Sequence, residues 1–145
     1  MTNIPEFESP RLRLRAFKNQ DFELMAKFFA SEVSRPYGGP CSREEAWRKF
    51  AVYSGHWVLR GYGPWALIPG QQGKGFATEA ARRALQAAYE DFGWKTAVSV
   101  IAADNAASHA VAQRLGAKVE GRIAFRGGQA DVYRHVGLEA LQRTE

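Results

Sequence analysis

Chemistry in this chain concentrates in one stretch, WALIPGQQGKGFATEAARRAL (Trp65 to Leu85), where two glycines flank a lysine ahead of an alanine-rich helical pattern. Gly73 and Gly75 lack a Cβ, so the backbone there can approach a ligand closely. A helix that begins directly afterwards turns its unpaired N–H groups and the positive end of its dipole back on that ligand. The combination is an anion cradle, with Lys74 as a charge beside it. An NTPase phosphate loop is excluded, because Lys74 is followed by Gly75 where a hydroxyl residue is required. The dinucleotide fingerprint fails too: Thr78 stands where its third glycine belongs, and no acidic residue follows at the ribose distance. What remains is the pattern [QR]-x-x-G-x-[GA], met by Gln72, Gly75 and Ala77; a plain tight turn from strand to helix would satisfy the same residues.

Other candidate groups lie downstream. Asn105 and Ser108 stand three apart at the mouth of DNAASHAVAQRLG, a short helix that Asp104 or Asn105 can cap and Gly116 ends, with Ser108 as a first-turn hydroxyl. Tyr133 falls on a strand pattern and reads first as packing. Cys41, the single cysteine, excludes an internal disulfide framework, fits a reducing compartment and has no nucleophile's setting around it. His56, His109 and His135 lack metal-ligand spacing, so no metal is expected. Trp47, Trp57 and Trp65 suit a core or a pocket wall better than a platform for bases.

These groups need positioning elements. RLRLRAF (Arg11–Phe17) alternates as a half-buried strand, with Leu12 and Leu14 on one face and arginines on the other. A helix is expected from Asn19, with Phe22, Met25 and Phe29 as its stripe. EVSRPYGGPCS follows as a loop. Ser42 and Glu45 then form a capping-box signature for a helix whose apolar side carries Trp47, Phe50, Ala51, Ser54 and Val58. From Ala77 a helix places Ala81, Ala84, Leu85, Ala88 and Phe92 at helical spacing up to Gly93. AVSVIAA (Ala97–Ala103) is apolar on both faces, as in a central strand covered on both sides. KVEGRIAFRGGQADVYRHV reads as a hairpin turning at Gly127–Gly128.

The 145 residues suit one domain, with 46% apolar and 24% charged residues and a net charge of +5. The positive excess favours anionic partners, but it is scattered and matches no nucleic-acid module. The opening MTNIPEFESP has no apolar core of a secretory signal, and no run approaches a membrane span, so a cytoplasmic protein without membrane partners is expected.

With both motifs in view, the chain resembles the GNAT acetyltransferases, closest to the branch of the ribosomal-protein alanine N-acetyltransferases. SPRLRLRAF is similar to their opening strand, PGQQGKGFATEA to their acetyl-CoA loop, and NAASHAVAQRLGAKVEG to the helix and strand that follow. The resemblance implies a single α/β (α+β) domain over 1–145, with a mixed, mostly antiparallel sheet and helices on both faces. It implies acetyl-CoA as co-substrate, its pyrophosphate held by Gln72, Gly73, Lys74, Gly75, Phe76, Ala77 and Thr78. Its pantetheine arm would lie between strands around Trp65–Ile68 and Val98–Ala102. An amine acceptor, on a protein N-terminus or a small molecule, would attack the thioester directly. A backbone N–H near Leu67 or Ile68 would steady the oxyanion; Asn105 would contact the pantetheine arm, and Ser108, or alternatively Tyr133, would protonate the departing thiolate.

One departure accompanies the resemblance. The family places three consecutive antiparallel strands between its second helix and the glycine loop, whereas GHWVLRGYGPWALIPGQQGKG passes from helix to loop almost at once. GYGPWA resembles the beginning of the second strand and WALIPG the end of the fourth, as if a central hairpin were removed. Three outcomes are open: the first strand pairs directly beside Trp65–Ile68, the exposed edge pairs with a second copy as a homodimer, or the given chain omits residues. The lost strands often supply the family's general base; Glu120 could stand in only if geometry allowed. A rival expectation is therefore a catalytically impaired, self-associating remnant that binds CoA without turnover.

Overall fold

The computed structural model describes residues 3–69 and 75–143; the side chains of residues 68 and 69 and the loop residues Gln72, Gly73 and Lys74 lie outside that description. The described chain runs β1 (Phe7–Glu8), β2 (Leu12–Arg15), α1 (Phe22–Ala30), α2 (Arg43–Arg60), β3 (Ala66–Pro69), α3 (Phe76–Glu90), β4 (Val98–Ala102), α4 (Ala106–Arg114), β5 (Lys118–Phe125), β6 (Gly128–Arg134) and α5 (Leu138–Arg143). It is an α/β arrangement with two three-stranded sheets, ordered β1-β2-β3 and β4-β6-β5. Two compact units result, Met1–Phe7 with Arg13–Ile68, and Glu8–Leu12 with Pro69–Glu145.

In the first sheet the alternation of RLRL is obeyed. Leu12 and Leu14 are 4% and 1% exposed, each contributing about 2 kcal/mol through burial. Arg15 departs from the expected outward row: it is buried because Asp21 takes its guanidinium in a bidentate pair at 2.8 and 2.9 Å. β2 is the neighbour of β3, so the sheet closes directly across the place where the hairpin is missing.

In the first unit α1 buries Phe22 and Phe29 of the expected stripe, with Met25 partly buried against the same cluster, whereas α2 buries a face shifted from its stripe. A single 3-10 turn, Asn19–Asp21, precedes α1, and another, Glu32–Tyr37, occupies the segment expected to be loop. Ser42 accepts the Glu45 N–H at 3.1 Å and starts α2. The buried residues of α2 are Ala46 and Phe50, which pack with Phe22, Ala26 and Phe29, and Trp57, whose ring lies against Trp65. Trp47 and Val58 are 46% and 64% exposed, so the stripe runs one residue out of the expected phase. Trp57 and Trp65 satisfy their indole N–H groups on the carbonyls of Pro64 and Pro5, each at 2.8 Å.

The second unit forms around α3. Leu85 and Tyr89 meet Leu115 and Leu141, the last from α5, which the sequence pattern did not reveal. The β5–β6 hairpin closes on Phe125↔Gly128, with Arg126 and Gly127 both at positive φ (48° and 78°). That is the two-residue turn matching strand twist, one residue earlier than Gly127–Gly128.

Candidate functional site

Within the described sheet β4 does not take the central place expected of it. Among the described strands its only neighbour is β6, and Val98 and Val100 are 45% and 42% exposed while Ile101 is buried. The ladder fixes which peptides face outward. His135 N–H bonds Ala97 O and Ala103 N–H bonds Gln129 O, both at 3.0 Å. Antiparallel bonding alternates residue by residue, so 97, 99, 101 and 103 bond β6, and 98, 100 and 102 turn their peptides to the other edge. That edge, VSVIA, carries no charge.

The open edge ends at the mouth of α4. Ala102 O accepts the Asn105 N–H at 3.0 Å, and Asn105 Oδ1 accepts the Ser108 N–H at 3.3 Å. Asn105 is therefore a helix cap, 9% exposed. Ser108, in the same turn, is half-buried. Tyr133 lies on β6, 3% exposed among Ile101, Ala112 and Ala117, with its hydroxyl 2.8 Å from His109 Nδ1. The structure thus joins Asn105 with Ser108, and Tyr133 with His109.

α3 begins on Gly75, whose φ of 86° is a left-handed conformation that disfavours any Cβ. Gly75 and Ala77 are exposed; Phe76 and Thr78 are half-buried. The Thr78 hydroxyl is buried without a partner among the described residues. The first turn is clasped from the N-terminal segment: Glu79 accepts Ser9 Oγ–H, Arg11 N–H at 2.9 Å and Arg11 Nε–H at 2.8 Å. Burial alone would raise the Glu79 carboxyl, but those bonds carry it below its ordinary range. The Arg11 guanidinium also sits 4.8 Å over the Phe76 ring. Leu67 lies on β3, 45% exposed, and Ile68 is on the same strand. Among the described residues no cluster of three or more His, Cys, Asp or Glu could hold a metal, and no helix is long and apolar enough to cross a membrane.

Glu120, the stand-in base, occupies an irregularity in β5 and is held bidentately by Arg134 at 2.6 and 2.9 Å. The hydrogen bond from Arg134 keeps its carboxyl below the ordinary range, which makes it a weaker base.

A family model for the acetyltransferase (GNAT) domain matches residues 64–118, from the turn before β3 to the start of β5. A solved acetyltransferase from Agrobacterium tumefaciens is 27% identical, with a TM-score of 0.77 over 92% of this chain and 95% of that one. Over residues 64–118 the chain matches the GNAT domain, and over most of its length it is similar in fold to a solved acetyltransferase. A GNAT-family acetyltransferase from Bacillus anthracis shares the fold at 17% identity, with a TM-score of 0.68 over 93% and 99% of the two chains. So does the ribosomal L7/L12 alpha-N-protein acetyltransferase RimL in complex with coenzyme A, at 16% identity and a TM-score of 0.67 over 88% and 95%. The segment matched by the GNAT model holds β4, the Asn105 cap and the Gly75 start of α3. Two participants escape the motif: His109, which lacked metal-ligand spacing, and Glu79, whose partners Ser9 and Arg11 stand 70 and 68 residues away in sequence.

Proposed function

We propose that the chain is an acetyl-CoA-dependent N-acetyltransferase that moves an acetyl group to a primary amine, on a protein N-terminus or a small molecule. The observation that carries the reading is the uncharged open edge of β4, whose outward peptides at Val98 and Val100 run up to the capped mouth of α4. Peptide groups on a strand edge are matched to the amides of a pantetheine arm, as they would be to another strand. At the other end, Gly75 to Thr78 open α3 with N–H groups that have no intrahelical acceptor, suited to a diphosphate. Gln72, Gly73 and Lys74 would complete that cradle. The likeness of fold to RimL with coenzyme A supports the same ligand.

The donor supplies an activated thioester carbonyl. The chain's own contribution is binding and proton handling. Asn105 shapes the first turn of α4, and the Ser108 hydroxyl in that turn is the group that protonates the departing CoA thiolate. Tyr133 is the alternative, but its hydroxyl hydrogen is engaged by His109 and its side chain is buried. Direct attack by the amine suits a chain whose one cysteine has no activating neighbour.

Titration calorimetry with CoA and acetyl-CoA, followed by thiol release with a panel of primary amines, tests the reading. Binding together with thiol release is expected, and absence of heat with either nucleotide would overturn it. A second reading, a CoA-binding and self-associating remnant without turnover, is favoured by one observation: among the described residues a single strand, β3, lies between α2 and α3. Binding without thiol release on any amine would select it.

A further inference from the structure

The position of the first turn of α4 against the sheet needs a cause beyond its cap. Asn105 caps its own helix through its side chain, and its backbone N–H ties the start of the turn to Ala102 at the end of β4, but neither bond reaches β6. Among the described residues, His109 is the one side chain of α4 that hydrogen-bonds a strand residue. Its Nε2 lies 3.0 Å from the Ala102 carbonyl oxygen, which can only accept, so Nε2 carries a hydrogen. In the neutral ring Nδ1 is then bare and accepts from the Tyr133 hydroxyl at 2.8 Å. The two rings meet edge-on with centroids 5.5 Å apart. One imidazole therefore pins α4 to the last residue of β4 and to β6.

We propose that His109, as its neutral Nε2–H tautomer, is the positioning residue for Asn105 and Ser108, holding the first turn of α4 at the end of the open β4 edge. This rests on the reading of Asn105 and Ser108 as the thiol end of an acyl-donor site. His109 acts through its chain neighbour Ser108. Protonation rewires the pin. A hydrogen on Nδ1 leaves no lone pair for Tyr133, whose hydroxyl must turn away, and it draws the imidazolium towards Asp131 Oδ2, 4.0 Å distant. Asp131 on β6 is itself paired with Arg122 of β5 at 3.0 Å. Tyr133, Asp131 and, through Asp131, Arg122 are the titratable and charged groups facing the ring; its other contact is the Ala102 carbonyl.

Two arms test the proposal on the full chain. In the ligand-free protein, the Ser108 amide and Asn105 side-chain resonances should titrate with the His109 ring, and should be indifferent to the same pH range in His109→Gln. In turnover, His109→Ala should lower kcat about tenfold while the Kd for CoA stays within about twofold. His109→Gln should recover part of that loss, because its amide N–H can still reach the Ala102 carbonyl, and should lack the wild type's acid-side fall in kcat. Resonances of Ser108 and Asn105 that ignore the His109 titration would overturn the proposal. So would unchanged kcat in both variants, or kcat and CoA affinity falling together with the thermal midpoint. A wild-type chain that fails to bind CoA would instead sink the acyl-donor reading, and the resonance arm would still decide whether His109 positions the turn.

Discussion

The second sheet has two edges, and they are built on opposite principles. β5 carries Lys118, Glu120 and Arg122, is interrupted between Val119 and Gly121, and ties Glu120 to Arg134 and Arg122 to Asp131 across the ladder. Charge and irregularity of this kind blunt an edge against further pairing. β4, with the sequence VSVIA, keeps a regular register with β6 and has neither charge nor bulge. An unprotected edge is a liability in a protein that leaves it bare, so its persistence on β4 marks the edge meant to receive something. The difference supports the proposed placement of the acyl donor along β4 rather than β5.

Four experiments can break or sharpen that contrast, and the largest effect is expected at Gly75. Gly75→Val forces a β-branched residue to a φ of 86°, costing about 1–3 kcal/mol locally and obstructing the cradle. Calorimetry should show CoA binding abolished, and unchanged affinity would count against the cradle. Next comes proline on each edge. Val100→Pro removes an N–H that faces away from β6, so the ladder survives, yet CoA affinity should drop about tenfold or more. Ala124→Pro, the equivalent outward position on β5, should leave affinity unchanged. Equal effects at both edges would erase the distinction between them. Ser108→Ala should lower kcat by about tenfold or more with little change in CoA affinity; full activity would remove its role as acid.

The smallest effect concerns pH. Burial holds the His135 imidazole below its ordinary range, its Nε2 lying 2.6 Å from Ser99 Oγ and its Nδ1 buried without a partner among the described residues. The folded state therefore selects the neutral ring. As pH falls through about 6.5, the unfolded chain takes up the proton first and stability declines, levelling off only below the lowered folded value. Hydrogen exchange should show β4 amides losing protection on acidification before those of β5, and His135→Asn should flatten the trend.

Much of this was legible in the sequence because local rules were obeyed. Ser42 capped α2, Asn105 capped α4, Leu12 and Leu14 went inward, and the absence of a hairpin was visible as a joint between GPWA and WALIPG; β2 duly lies beside β3. The failures were of another kind. AVSVIAA looks the same whether it is covered by helices or left as an edge, since apolar content does not say which neighbour is missing. The phase of α2 slipped because Trp47 is hydrophobic by type but lies at an exposed position, its ring edge-on to Phe22. Arg15 turned inward because Asp21, six residues on, offered a bidentate partner.

By itself, the sequence determined the order of the elements from β2 to β6, the caps of α2 and α4 and the glycine start of α3, all properties set by neighbours a few residues apart. Tertiary structure alone decided that β4 is an edge, that His109 bridges α4 to both β4 and β6, and that Glu79 is clasped by Ser9 and Arg11. The reason is physical: exposure and hydrogen-bond partnership depend on which distant segments arrive beside a residue, and that arrival is fixed by how whole elements pack.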